Sequence, residues 1–245
     1  MALSDISLAV EPRAFVSIVG PSGCGKSTLL KIMAGLASAT AGQIEVAGQP
    51  VVAPRRDVGI VFQNPILLPW RTIGENVALP AQVRGMDRTA TRARIASLLA
   101  MVGLAEFENR YPAELSGGMQ QRAAISRSLV CDPKILLMDE PFGALDAMTR
   151  EQMNLDLQRI WLDSGKTVVL ITHSIPEAVF LGDRVVVMTP RPGRIARIFD
   201  VDLPRPRTLH TMGEPEFGRL CNEIRGMLYQ MNDADSPPFH AGGLG

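Results

Sequence analysis

Gly20, Gly25, Lys26 and Ser27 stand at the spacing G-x-x-x-x-G-K-[ST], inside the stretch Gly20-Pro21-Ser22-Gly23-Cys24-Gly25-Lys26-Ser27-Thr28. Such a stretch can hold phosphate. Its glycines let the backbone curl so that successive N–H groups point inward, and a helix starting at Lys26 adds the positive end of its dipole. Lys26 would then reach the β- and γ-phosphates of a nucleotide, and the Ser27 hydroxyl would hold Mg²⁺. Two carboxylates, Asp139 and Glu140, close the apolar run Ile135–Met138, a costly ending for a core strand unless a cation waits there. Asp139 suits metal holding opposite Ser27, usually through a bound water. Glu140, one residue on and pointing differently, is the candidate general base for water. Gln63 and His173 each follow another apolar run. Gln63 is placed to sense the metal and the attacking water, and His173 to contact the γ-phosphate. A cradle, a metal and a group that orients water are the parts phosphoryl transfer requires. Taken singly, each feature has a plainer reading as a Gly-rich turn, a loop histidine or a helix cap.

These residues need a sheet to present them. Phe15–Val19 reads as the strand before the cradle, and Lys26 to Leu36 as the helix after it, with Leu29, Leu30, Met33 and Leu36 on one face. Val58–Phe62, Ile135–Met138 and Thr167–Thr172 are all-apolar runs of the kind buried on both faces of a parallel sheet, and ligands gather at the C-terminal ends of such strands. Ile6–Val10 alternates and reads as the start of a β-hairpin with the Phe15 strand, while Gln43–Val46 before Gly48 reads as a short antiparallel strand. Between residues 64 and 130 the pattern turns helical. Ile95, Leu98, Leu99 and Val102 form a stripe before Gly103, and Ser116 stands where an N-cap would, ahead of Met119, Ala123, Ile125 and Leu129. Phe142 to Asp146 is a tight turn into a helix bearing Leu157, Ile160 and Trp161. Arg184–Met188 and Arg194–Phe199 flank a Pro192-Gly193 turn, the Pro-rich stretch 190–206 is a hairpin and connector, and Glu214–Met231 is an amphipathic helix that packs on the body. The tail from Asp233 to Gly245 is expected to be mobile. No internal repeat is present.

The 245 residues are 46% hydrophobic and 20% charged, with a formal net charge of zero. This is an ordinary globular composition with no basic field to attract nucleic acid. Cys24, Cys131 and Cys221 have neither paired nor metal-like spacing, which suits a reducing cytosol. No apolar run is long enough to span a bilayer, and the first residues lack the pattern of a secretory signal. A membrane role would therefore run through a partner.

With Leu115-Ser116-Gly117-Gly118-Met119-Gln120 added to the list, the chain resembles the ATP-binding subunits of ATP-binding cassette (ABC) transporters. The resemblance spans Gly20 to His173. It matches the family's LSGGQ signature with Met119 for the usual Gln, Walker B at Ile135–Glu140, the D-loop at Gly143-Ala144-Leu145-Asp146, the Q-loop at Gln63 and the switch histidine at His173. It implies an α/β fold: a P-loop NTPase core with a mixed sheet and helices (residues 1–63 and 131–200), an antiparallel β part, an inserted helical subdomain with the signature (64–130) and a C-terminal extension (201–245). It also implies an Mg²⁺-dependent ATPase that works as a head-to-tail dimer. In that dimer Ser116, Gly117 and Gly118, with Asp146 of the D-loop, complete the partner's ATP site. A membrane permease would dock near Gln63 to Leu79, fed by a periplasmic or lipid-anchored solute-binding protein, at the cytoplasmic face of the inner membrane. Phe62-Gln63-Asn64-Pro65-Ile66-Leu67-Leu68-Pro69-Trp70, Asn76-Val77, and the stretches 190–195 and 202–207 are similar to importers of nitrate, aliphatic sulfonates and taurine.

Two departures stand out. Family members carry a further strand and an adenine-stacking aromatic upstream of the segment matching Ala2 to Val10. Met1 leaves no place for either, so a truncated or late-assigned start and weakened adenine binding are expected. Arg13-Ala14 occupies a turn where the family places Gly-Glu, which should alter the turn and not the chemistry. The competing expectations are a soluble ABC ATPase of DNA repair, translation or iron–sulfur assembly, and a module that binds ATP without hydrolysing it. The neutral single cassette argues against the first, and Glu140 with His173 against the second.

Overall fold

The computed structural model describes residues 1–143 and 145–235. In chain order the elements are β1 (Phe15–Val19), α1 (Lys26–Met33), β2 (Glu45–Val46), β3 (Gln49–Pro50), β4 (Val58–Val61), α2 (Ile73–Val83), α3 (Arg88–Met101), α4 (Gly117–Leu129), β5 (Ile135–Asp139), α5 (Ala147–Ser164), β6 (Thr167–Ile171), α6 (Ile175–Leu181), β7 (Arg184–Met188), β8 (Ile195–Asp200) and α7 (Pro215–Asp235). The main sheet has the order β4-β5-β6-β1-β7-β8, parallel except for β8, and β2 pairs with β3 in a separate hairpin. The fold is thus mixed α/β with a mostly parallel sheet.

The apolar runs dictate this arrangement, because a strand with no polar face must be covered on both sides. Phe15, Val19, Leu136, Met138, Val168 and Leu170 pack on the face that also carries residues of α2 to α7. Val16, Ile18, Leu137, Val169 and Ile171 pack on the opposite face with Leu29 and Leu30 of α1. Register aligns the strand ends: Val61 lies opposite Met138, Asp139 opposite Ile171, and Ile18 opposite Ile171 on the other side. The residues just beyond these positions therefore come out along a single edge.

Several expectations are corrected. Ile6 to Val10 forms no strand; only Leu3 makes an isolated bridge, to Gly193. Its alternation is real, since Ile6, Leu8 and Val10 pack against the second core cluster, but among the described residues no strand pairs with it. Helix α1 stops at Met33, and Leu36 is largely exposed beyond the left-handed Gly35. The backbone of α7 continues to Asp235, so 233–235 are helical; the rest of the tail expectation, 236–245, lies outside the described residues. Arg13 takes φ 67°, the region a glycine favours, and its N–H donates to Thr167 Oγ1.

The connector after β8 is secured by an arginine that sequence reading passed over. Arg207 is 1% exposed, and its guanidinium donates to the carbonyls of Val179, Phe180, Gly182, Val201 and Leu203. Burial pushes its pKa down to about 10, with the Arg205 charge adding to the effect. Several of these acceptors belong to the end of α6, where carbonyls have no helical partner. Arg207→Met is expected to cost about 3–5 kcal/mol, because it strands buried acceptors, while Arg207→Lys should recover only part, since one ammonium cannot span both groups. Urea unfolding of the two variants measures this.

Candidate functional site

The cradle begins where β1 ends at the centre of the sheet. Gly23 and Gly25 take φ 76° and 105°, and Gly25 is the N-cap of α1. A side chain at Gly25 would also meet Leu3 Cδ2 at 2.7 Å, so glycine is required there on two grounds. Lys26 is 7% exposed and folds back over the loop, donating to the carbonyls of Gly20 at 2.8 Å and Pro21 at 2.9 Å. It is a buried cation whose ammonium bonds carbonyls, with no carboxylate in ion-pair contact among the described residues.

At the end of β5, Ser27 Oγ donates to Asp139 Oδ1 at 3.1 Å, bringing both expected metal-holding residues together. Burial raises the Asp139 pKa, and the neighbouring Glu140 charge raises it further against the lowering hydrogen bond from Ser27. A cation would relieve that penalty. Among the described residues no cluster of three or more His, Cys, Asp or Glu could hold a metal.

Glu140 takes φ 45°, strained for a residue with a side chain, and its N–H donates to Ile171 O of the next strand. The strained turn aims its carboxylate at His173, whose Nδ1 lies 3.1 Å from Glu140 Oε2. Gln63 is exposed, and a methyl group placed on Gly143 would lie 3.4 Å from Gln63 Nε2 and 3.6 Å from His173 Cε1. Gln63, Glu140, Gly143 and His173 thus meet around one turn at the sheet edge.

The signature stands elsewhere. Ser116 caps α4, its Oγ accepting from Met119 N, and Gly118 faces α5, where an added Cβ would come 2.9 Å from Thr149 Cγ2. Asp146 caps α5, accepting from Thr149 N at 3.0 Å and Thr149 Oγ1 at 2.6 Å; these bonds hold its carboxyl below the usual range. Among the described residues no hydrogen bond joins 116–118 to the loop 20–28.

Sequence reading missed how these loops are braced. Asn76 is fully buried and its amide is satisfied by Leu68 N and by the carbonyls of Leu68, Arg71 and Thr72, tying the segment after Gln63 to α2. Arg127 of α4 donates to Pro65 O and Ile66 O. Arg150 of α5 donates to Phe142 O and Leu145 O across the turn that follows Glu140. No local pattern marks these roles, because each depends on backbone groups that only the folded loops present.

The family described as ABC transporter matches residues 3–143. The taurine import ATP-binding protein TauB of Rhizobium johnstonii is 48% identical over 241 residues, covering 96% of this chain and 92% of that protein. The nitrate import ATP-binding protein NrtC of Synechococcus elongatus is 46% identical over 96% of this chain, which spans 36% of that longer protein. A solved dimeric structure of the ATP-binding cassette MJ0796, in a post-hydrolysis state bound to ADP and Pi, superposes with a TM-score of 0.72 at 36% identity, covering 83% of this chain and 92% of that one. With the family model matching residues 3–143 and a relative 48% identical over 96% of the chain's length, the chain belongs to the ABC transporter family.

Proposed function

We propose that this chain is the ATP-hydrolysing subunit of a bacterial ABC importer, working on the cytoplasmic face of the inner membrane, with nitrate, aliphatic sulfonates or taurine-like compounds as solutes. The observation that carries the proposal is the meeting at one sheet edge of Lys26, the Ser27–Asp139 pair and the Glu140–His173 pair. When bound, MgATP supplies the phosphoryl group to be transferred and a cation that neutralises its charge. The N–H groups of residues 20–28 hold the phosphates, and Lys26 exchanges the carbonyls of Gly20 and Pro21 for them. Ser27 and Asp139, with Gln63, would hold the metal. Glu140 accepts the proton of the attacking water, and His173, hydrogen-bonded to it, keeps that carboxylate turned toward the phosphate.

Residues 1–63 and 131–200 act as the catalytic core, 64–130 as the signature-bearing helical part, and 201–245 as a C-terminal extension. The signature lies apart from the cradle of its own chain, so Ser116, Gly117, Gly118 and Asp146 are read as serving a second copy. Two chains would then enclose two ATP molecules, and closing them would drive the permease. Ile66 and Trp70 are 58% and 72% exposed on the braced segment after Gln63, which fits a docking site for a permease helix. The chain, purified from its host's membranes in mild detergent, is expected to bring a polytopic permease with it. Trp70→Asp should reduce that recovery at least about tenfold without unfolding the chain, because the ring packs on little of its own protein. Recovery with soluble partners alone would contradict the importer.

A further inference from the structure

The turn between β7 and β8 backs directly onto the phosphate cradle. Gly193 of this turn is buried, and a Cβ built on it would stand 2.0 Å from Cys24 O and 3.2 Å from Cys24 C, in the middle of the loop. No side chain can swing aside to relieve that contact, because the obstacle is backbone. The turn is tied from within. Thr189 Oγ1 lies 3.1 Å and 3.3 Å from the carbonyl oxygens of Pro190 and Pro192, to which its hydroxyl donates, and it accepts from Arg194 N at 3.0 Å. It is also tied to the first residues of the chain. Gly193 N donates to Ala2 O at 2.9 Å, and Gly193 O accepts from Ser4 N at 3.0 Å. Those residues close on the loop in turn, since a Cβ on Gly25 would come 2.7 Å from Leu3 Cδ2 and 3.0 Å from Ala2 O. The loop is thus met at Cys24 by the turn and at Gly25 by residues 2 and 3, which are hydrogen-bonded to the turn.

We propose that Gly193 is a positioning residue for nucleotide binding: by bringing bare backbone against Cys24 it sets where the N–H groups of residues 20–28 stand, and so how well they meet phosphate oxygens. This rests on the reading of that loop as the ATP cradle. Of the two sides of the contact, the loop is the one that yields. Ser22 and Gly23 are exposed, and two glycines soften the loop backbone, whereas the turn is bonded on both flanks. A methyl group on Gly193 therefore displaces Cys24 and the amides beside it. Hydrogen bonds to phosphate weaken steeply as their geometry departs from ideal, so the cradle loses affinity. Asp139, Glu140 and His173 follow β5 and β6, which lie on the other side of β1 from β7. The loss accordingly falls on binding that the ground and transition states share.

In the purified full chain, Gly193→Ala is expected to raise the Kd for MgATP at least about tenfold, and the KM with it, while kcat at saturating ATP stays within a factor of about three of wild type. A glycine that served the fold alone would instead lower the melting temperature and leave the affinity of the folded chain unchanged. Thr189→Val removes the hydroxyl that ties the turn and adds no bulk. It should weaken ATP binding at least about threefold, and Thr189→Ser, which keeps the hydroxyl, should bind as wild type does. Wild-type affinity in a folded Gly193→Ala, beside a Lys26→Ala chain that has lost ATP, would overturn the positioning role alone, as would a fall in kcat as large as the rise in Kd. Wild-type affinity in both variants would overturn this inference and the cradle reading beneath it. If Gly193→Ala fails to fold, the threonine pair decides: wild-type affinity in Thr189→Val, or binding by Thr189→Ser as weak as by Thr189→Val, contradicts the proposal.

Discussion

Exchanging Glu140 for Gln is expected to cut ATP turnover by about 10²- to 10⁴-fold and to leave ATP affinity nearly unchanged. The amide has the shape of the carboxylate but cannot accept the proton of water. Its backbone should stay in place, because the φ of 45° is held by the hydrogen bonds from Glu140 N to Ile171 O and from Gly143 N to Glu140 O, which do not involve the side chain. His173 Nδ1 can still pair with the amide oxygen. Binding, which depends on the cradle, should persist. Single-turnover hydrolysis beside binding of a fluorescent ATP analogue separates the two.

Lys26→Ala should show the opposite pattern, with ATP affinity falling about 10²-fold and turnover lost with it, since hydrogen bonds to a charged group contribute roughly 1.5–3 kcal/mol each. The folded chain should survive the change. Lys26 now spends its ammonium on the carbonyls of Gly20 and Pro21, in a loop next to solvent at the sheet edge, and water can replace it there. Titration with ATP, with a thermal melt as the control for folding, checks both statements. Together the two variants divide the site into a part that binds and a part that reacts.

What could be read from the sequence follows from where the information resides. Strands β4, β5 and β6 announce themselves because a strand covered on both faces is made mostly of apolar residues, and the polar residues that end each run are the ones the sheet presents. That places Gln63, Asp139, Glu140 and His173 on one edge before any coordinates are known. The strand reading failed at Ile6–Val10, where alternation reports burial of one face and says nothing about a partner edge. Leu36 matched a helical spacing but falls beyond a glycine that ends the helix. The roles of Arg150 and Arg207 were illegible for a different reason. Each arginine's role depends on carbonyls that the folded backbone brings to it. The signature was legible only as a motif: its separation from the cradle is a property of the fold.

The central claim is that one chain holds two half-sites and that ATP joins two chains through them. Light scattering of Glu140→Gln, measured with and without MgATP, tests it directly. The account predicts a monomer without nucleotide and a dimer with it, and the dimer should be lost when Ser116 is replaced by Arg. A monomer that persists at saturating, bound ATP would contradict it.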